Sequence, residues 1–397
     1  MSTTRTRITL AAIVFVVLFA QVLLYPGIDV LVTTLGADTR LDASMWFLAA
    51  EFAAFIAFAG VWGATSDRAG KRVPFIVVAS LGGALGYLSL AILPGQFSLG
   101  FETILLLRVL QGAATIGAFS LAMTMLMDLE GGHGQNMGAA GIAIGSGTAL
   151  GAPVGGQLFE VGPLVPLYAA SVLLVGVALL TSRVTDRAPG GSRDSLRRLV
   201  TSGLRENPAL TLPYAFGFID RLTAGFFALV GTLYFRTVFE LSPGATGLML
   251  ALFFAPFGLL QYPFGVLSDR IGRTLPVVAG SAFYGLGVVA VGRAPSVELA
   301  AVAMVAVGVL GALMAPATMA LVSDLASPTG RGVAMAGFNV FGSFGFLVGI
   351  LLGGTVAGAY GYPAAFTAIG ALELGLALVA APVFLRLHAD RRAVFSR

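Results

Sequence analysis

Asp29, Glu51, Arg108, Asp220, Arg221 and Glu373 each interrupt a long apolar run of this chain. A charge of this kind costs about 2.5–3.5 kcal/mol at the centre of a hydrocarbon layer, so each must face the protein interior and find a partner or a task there. A carboxyl group so placed can take up and release a proton, because burial penalises its charged form while a nearby arginine favours it. Counting about 1.5 Å of rise per helical residue, Glu51 and Arg108 fall at a similar depth. This makes Glu51 the first candidate for proton coupling, with Arg108 beside it and Asp29, Asp220 and Arg221 behind. Gln21 and Tyr25 share a helical face with Asp29, and Gln111 lies one turn from Arg108. These three, with Phe216 and Phe226, are the candidates for lining a substrate cavity. Purely structural ion pairs stay open as the alternative for all the charges, and Glu373 has no assigned partner.

The elements that must carry these residues follow from composition. The 397 residues are 57% hydrophobic and only 11% charged, where a soluble domain has about a quarter charged. The chain is therefore an integral membrane protein. Apolar runs close to 8–33, 45–66, 73–94, 99–127, 134–160 and 163–183 are followed, after a polar stretch, by runs close to 209–236, 242–267, 275–293, 296–324, 331–359 and 362–387. Each is near the roughly 20 residues that a helix needs to cross a bilayer. The first run is too long for a cleaved signal peptide and reads as a retained helix. Most of the 23 arginines and lysines fall between the even and odd runs, while Arg40, Arg236 and Arg293 lie at the opposite ends. By the positive-inside rule this puts both termini in the cytoplasm. The stretch 185–208 is an arginine-rich cytoplasmic linker between domains 1–184 and 209–397. Its Leu196, Leu199, Val200 and Leu204 could form one apolar face on the membrane surface.

The chain repeats itself. Gly63-Ala-Thr-Ser-Asp67-Arg68-Ala-Gly70-Lys71-Arg72 recurs past the midpoint as Gly265-Val-Leu-Ser-Asp269-Arg270-Ile-Gly272-Arg273-Thr274. Gly147, Gly151, Gly155 and Gly156 likewise align with Gly345, Gly349, Gly353 and Gly354. The decapeptide resembles the cytoplasmic loop signature found between the second and third helices of each half in the major facilitator superfamily of secondary transporters. Arg108-Val-Leu-Gln111-Gly112 resembles that family's helix-four motif. Gly147 to Gly156, with Pro153, resembles the helix-five motif of its drug:proton antiporter branch.

The resemblance implies an all-α fold of twelve transmembrane helices in two pseudo-symmetric six-helix bundles. It also implies export of a small organic molecule by alternating access, in exchange for protons, with a proton-independent facilitator or a proton symporter for a small metabolite as the alternative. In the family the first loop copy latches the outward-facing state, which would set Asp67 near Gly330, Arg331 and Gly332 and pair Arg68 and Arg72 with acids such as Asp128. The latch residues are then Gly63, Asp67, Arg68, Gly70 and Arg72, with Gly265, Asp269, Arg270 and Gly272 in the second copy. Thr274 stands where the first copy has Arg72, so the second ion network is expected to be weaker. The helix-five glycines, with Pro153, are expected to hold the two halves close.

Other classes fit poorly. Gly70-Lys71 has Thr65 where a phosphate loop needs its leading glycine, and neither Gly-x-Ser-x-Gly nor His-Glu-x-x-His occurs. There is no cysteine. An enzyme, a resident metal and a cofactor are not expected. The expected partners are a small-molecule substrate, protons and the lipid bilayer of the plasma membrane, with the protein acting as a monomer. The net charge of +4 is spread over loops and implies no nucleic-acid partner.

Overall fold

The computed structural model describes residues 3–130, 133–186, 207–326 and 330–395, and among them every regular element is helical. The first span is α1 (Thr3–Val22) and α2 (Ile28–Thr34), and five more follow as α3 (Leu41–Ala69), α4 (Val73–Gln96), α5 (Phe101–Met127), α6 (His133–Val161) and α7 (Val165–Thr181). The seventh is α8 (Thr211–Phe226), a π turn at Phe227–Gly231 and α9 (Thr232–Thr237). Then come α10 (Pro243–Ile271), α11 (Thr274–Gly292), α12 (Val297–Leu325), α13 (Arg331–Tyr360) and α14 (Tyr362–Phe395). Ten of these spans are long and apolar enough to cross a membrane, and α7 is a shorter apolar helix. With the glycine-rich α6 they make the twelve expected crossings. The linker residues 187–206 lie outside the described residues.

Local sequence explains the breaks. The first apolar run is not one helix. It opens at Leu23–Gly27, where Pro26 has no amide to donate and Gly27 leaves room for the Phe159 ring, 2.5 Å from where a Cβ would sit. α3 ends on Gly70 and α10 on Gly272, with φ of 61° and 89°, a left-handed conformation that only glycine adopts without strain.

The described residues form two compact units. One combines Met1–Ser195 with Gly231–Ala255, and the other combines Leu196–Val230 with Pro256–Arg397. The first unit thus takes in a stretch of the second repeat. The divide falls inside the π turn of the seventh span and at Pro256 within α10.

Packing inside each unit relies on small residues. A Cβ at Gly147 would come within 2.9 Å of the Phe15 carbonyl, one at Gly151 within 3.0 Å of the Phe19 carbonyl, and one at Gly155 would overlap the Leu23 backbone. The three glycines therefore seat α6 against α1. Gly156 is the member of the motif that meets the second sequence half, since a Cβ there would overlap the Pro243 carbonyl, and a Cβ at Gly247 would in turn overlap the Ala152 carbonyl. The second unit repeats the arrangement, with Gly345 and Gly349 of α13 laid against the carbonyls of Phe218 and Leu222 on α8. In lipid no hydrophobic force draws helices together, so close backbone approach supplies the attraction instead. Large apolar side chains such as Val172, Leu259, Val302 and Val379 point outward and are exposed, as lipid-facing positions should be.

Candidate functional site

Glu51 on α3 and Arg108 on α5 meet in the interior of the first unit, both wholly buried. Nη2 of Arg108 donates to Oε2 of Glu51 at 2.7 Å, and Nη1 donates to Oε1 of Gln111 at 2.6 Å. Gln111 passes the chain on, its Nε2 donating to the Thr115 hydroxyl at 2.8 Å, and that hydroxyl donates to the Gln111 carbonyl at 2.9 Å. The guanidinium lies 4.5 Å from the Phe47 ring centroid and 5.7 Å from that of Tyr87. Gln21, Tyr25 and Tyr87 border the same pair. Among the described residues, Oε1 of Glu51, Nε2 of Gln21 and the Tyr87 hydroxyl make no close hydrogen bond, yet Gln21 and Tyr87 stand near enough to act as donors toward the Glu51 carboxylate.

Small residues make this meeting possible. A Cβ at Gly112 would lie 3.0 Å from the Glu51 carbonyl, and one at Gly86 would lie 2.6 Å from Cβ of Gln111. The Arg-x-x-Gln-Gly spacing puts the cation, its amide partner and the notch that admits α3 on one side of α5. Phe47, Tyr87, Thr115 and Gly86 were not among the candidates. Tyr87 carried a signal, as the one aromatic hydroxyl within the apolar run 73–94.

Asp29 is placed differently. It lies on α2 and is buried, and both carboxylate oxygens accept from Arg236 on α9. Nε is 3.1 and 3.2 Å away and Nη2 is 3.1 Å away. Nη1 of Arg236 also donates to the Leu241 carbonyl at 2.6 Å. Three residues beyond Leu241, the Gly244 amide donates to Glu160 at the end of α6 at 2.9 Å. A Cβ at Gly156 would overlap the Pro243 carbonyl.

At the first loop copy, Arg72 pairs with Asp128 and lies 3.6 Å from Asp67. The Asp186 carboxylate accepts from the backbone amides of Arg72 and Val73 at 3.0 and 3.2 Å, capping the first turn of α4. The second copy holds a matching network. Arg273 reaches Asp269 at 2.5 Å, Asp324 at 3.2 Å and the Ser268 hydroxyl at 2.7 Å. This corrects the expectation drawn from Thr274. The second loop has one residue fewer between its helices, so Arg273 is the residue immediately before α11, as Arg72 is before α4. Arg72→Ala and Arg273→Ala are accordingly both expected to impair transport, while Thr274→Ala is expected to keep most of it. Equal losses at 273 and 274 in a vesicle uptake assay would contradict this register. Arg68 and Arg270 are exposed.

In the second unit, Asp220 and Arg221 are neighbours on α8, with Nε of Arg221 3.9 Å from Asp220, too long for a hydrogen bond. Phe216 and Phe226 are buried in packed clusters. Phe216 sits with Val277, Ala317 and Ala380, and the Phe226 ring lies 4.8 Å from that of Phe366. Both fill core, so they are not the cavity-lining residues they were expected to be. Glu373 on α14 is wholly buried and accepts from Thr223 and Ser281.

The family model described as Major Facilitator Superfamily matches residues 10–242 and 214–396. An MFS-type transporter of Methanocaldococcus jannaschii is 30% identical over 166 residues, which are 41% of this chain and 42% of that protein, so the chain spans less than half of that relative's length. The multidrug resistance protein MdtG of Citrobacter koseri is 26% identical over 361 residues, covering 87% of this chain and 86% of MdtG. The solved structure of the nucleoside transporter NupG superposes with a TM-score of 0.76 at 14% identity, over 97% of this chain and 99% of NupG. At that identity the likeness speaks for the fold.

Proposed function

Because this chain belongs to the Major Facilitator Superfamily, we propose that it exports a small, largely apolar or cationic organic compound by alternating access, in exchange for protons. The protein is a multi-pass membrane transporter and not an enzyme. The observation that carries the finer reading is the buried pair of Glu51 and Arg108 at 2.7 Å. The name of MdtG supports it, since that multidrug resistance protein matches this chain along most of both lengths.

Glu51 suits a proton carrier better than Asp29 does. Asp29 commits both oxygens to one guanidinium, whereas Glu51 gives only Oε2 to Arg108. A proton arriving at Oε1 cancels the charge that holds Arg108. The guanidinium is then kept in place by Gln111 and the two aromatic faces. A cationic substrate and the proton would compete for the same carboxylate, which is the coupling that exchange requires. The two loop copies, centred on Asp67 and Asp269, serve in this reading as latches on the cytoplasmic side, with both termini there and the chain acting as a monomer in the plasma membrane.

The test uses the purified protein in liposomes with ethidium, an apolar cation, as the probe. An imposed pH gradient should drive ethidium uphill. Glu51→Gln should abolish that accumulation while leaving exchange across equal pH measurable. Uphill movement that survives Glu51→Gln and fails in Asp220→Asn would move the carrier to the second unit.

A further inference from the structure

Glu373 lies near the middle of the apolar stretch Tyr362–Val383 and is the only charged residue within it. Its side chain has no exposed surface. Oε1 accepts from the Thr223 hydroxyl of α8 at 3.0 Å, and Oε2 accepts from the Ser281 hydroxyl of α11 at 2.8 Å. Three helices therefore converge on one carboxyl group, and among the described residues it has no ion-pair partner.

The convergence is tightly built. A Cβ at Gly285, one turn beyond Ser281, would lie 2.9 Å from Cβ of Glu373 and 2.5 Å from the Gly370 carbonyl. A Cβ at Gly370 would in turn overlap the Gly285 carbonyl. The two glycines let α11 and α14 touch backbone to backbone, which pins the carboxyl group against the Ser281 hydroxyl.

The charged and titratable groups around it are few. α8 contributes Asp220 and Arg221, and α11 contributes Tyr284. Residues 334–359 of α13 contain no ionisable side chain. Asp220 lies one turn before Thr223 on α8 and, when ionised, carries the same sign of charge as Glu373. Arg221 is directed away, its side chain 46% exposed, against 14% for Asp220. A bare carboxylate in hydrocarbon, held by two neutral hydroxyls and facing a second carboxylate, lacks the partner that such burial demands. A hydroxyl can donate to a carboxylate or accept from a carboxylic acid, so Thr223 and Ser281 can hold either form.

We propose that Glu373 is a proton-binding site of the second unit, distinct from the Glu51 and Arg108 pair, which loads and unloads past Asp220. The proton passes between Glu373 and water along the side of α8 that carries Thr223 and, one turn away, Asp220. The three side chains grade from fully buried Glu373, through Asp220, to half-exposed Arg221. An arginine turned toward lipid would be costly, so the exposed end of this series faces water. The site rests on the exchange reading only for the use made of the proton, since its occupancy can be observed without transport.

The test is infrared spectroscopy of the full chain in lipid nanodiscs, following the protonated carboxyl stretch as pH is varied. A band present at neutral pH should be lost in Glu373→Gln and kept in Glu51→Gln. Ser281→Ala and Thr223→Ala should each shift its frequency by removing one hydrogen bond. These two variants carry the test if Glu373→Gln does not fold. A band that survives Glu373→Gln, or that keeps its frequency in both hydroxyl variants, overturns the proposal. So does a band that sodium removes at constant pH, because the site would then hold a metal cation. If Glu51→Gln still pumps while the Glu373 band behaves as stated, the first-unit assignment fails and this one stands.

Discussion

Arg108→Met is expected to cost about 3–5 kcal/mol of folding stability, the range found when one partner is removed from a buried ion pair. Methionine keeps much of the volume between the Phe47 and Tyr87 rings but leaves the Glu51 carboxylate and the Gln111 oxygen without their donor. Most of the loss therefore comes from the stranded charge and little from the missing packing. Removing that charge as well should recover most of it, so the double variant Glu51→Gln with Arg108→Met is expected to be markedly more stable than Arg108→Met alone. Unfolding in mixed detergent micelles, followed by circular dichroism, measures both variants and the wild type in one series. A double variant no more stable than the single would show that the pair is held by something other than mutual charge.

The second large effect concerns a methyl group. Gly155→Ala is expected to destabilise the protein by about 1–3 kcal/mol, as overfilling a tight contact does. The neighbour at Gly155 is the backbone of Leu23, which cannot rotate aside as a side chain could. Gly349→Ala should behave alike, because it meets the Leu222 carbonyl. Gly176→Ala on α7 is the control. Its Cβ would meet nothing within 4 Å, and alanine is the better helix former by about 1 kcal/mol, so this change should be neutral or stabilising. The same unfolding series reads all three. Equal effects at positions 155 and 176 would remove close backbone approach as the reason for the glycine at 155.

Much of the architecture was legible in the sequence because it is written in local terms. A hydrocarbon layer demands a run of apolar residues for each crossing, and duplication repeats a charged loop and a glycine face. The pairing of Glu51 with Arg108 was also within reach, since depth follows from counting residues along two helices. What depends on neighbours in space was not. The glycines of α6 announce a close contact, but nothing in their spacing says that the partner is α1. Asp29 and Arg236 are 207 residues apart, and neither residue's own stretch names the other. Glu373 found no partner by counting because its partners are hydroxyls, which occur throughout apolar helices without remark. Thr274 misled for a different reason. A gap-free comparison of the two loops cannot register that the second is one residue shorter, although the arginine before the following helix is what the chemistry requires.

The boundary inside the seventh span separates two things that a duplicated protein invites one to equate. The sequence repeats at the linker, yet residues 231–255 pack with the first unit, bounded by the π turn on one side and Pro256 on the other. The inherited half and the cooperative half are therefore different objects. A gene cut between the repeats would yield a first fragment in which Asp29 has lost its arginine and Glu160 its amide donor. Both contacts need the intact chain, so the two repeats are not interchangeable in this fold: residues 231–255 of the second pack with the first unit.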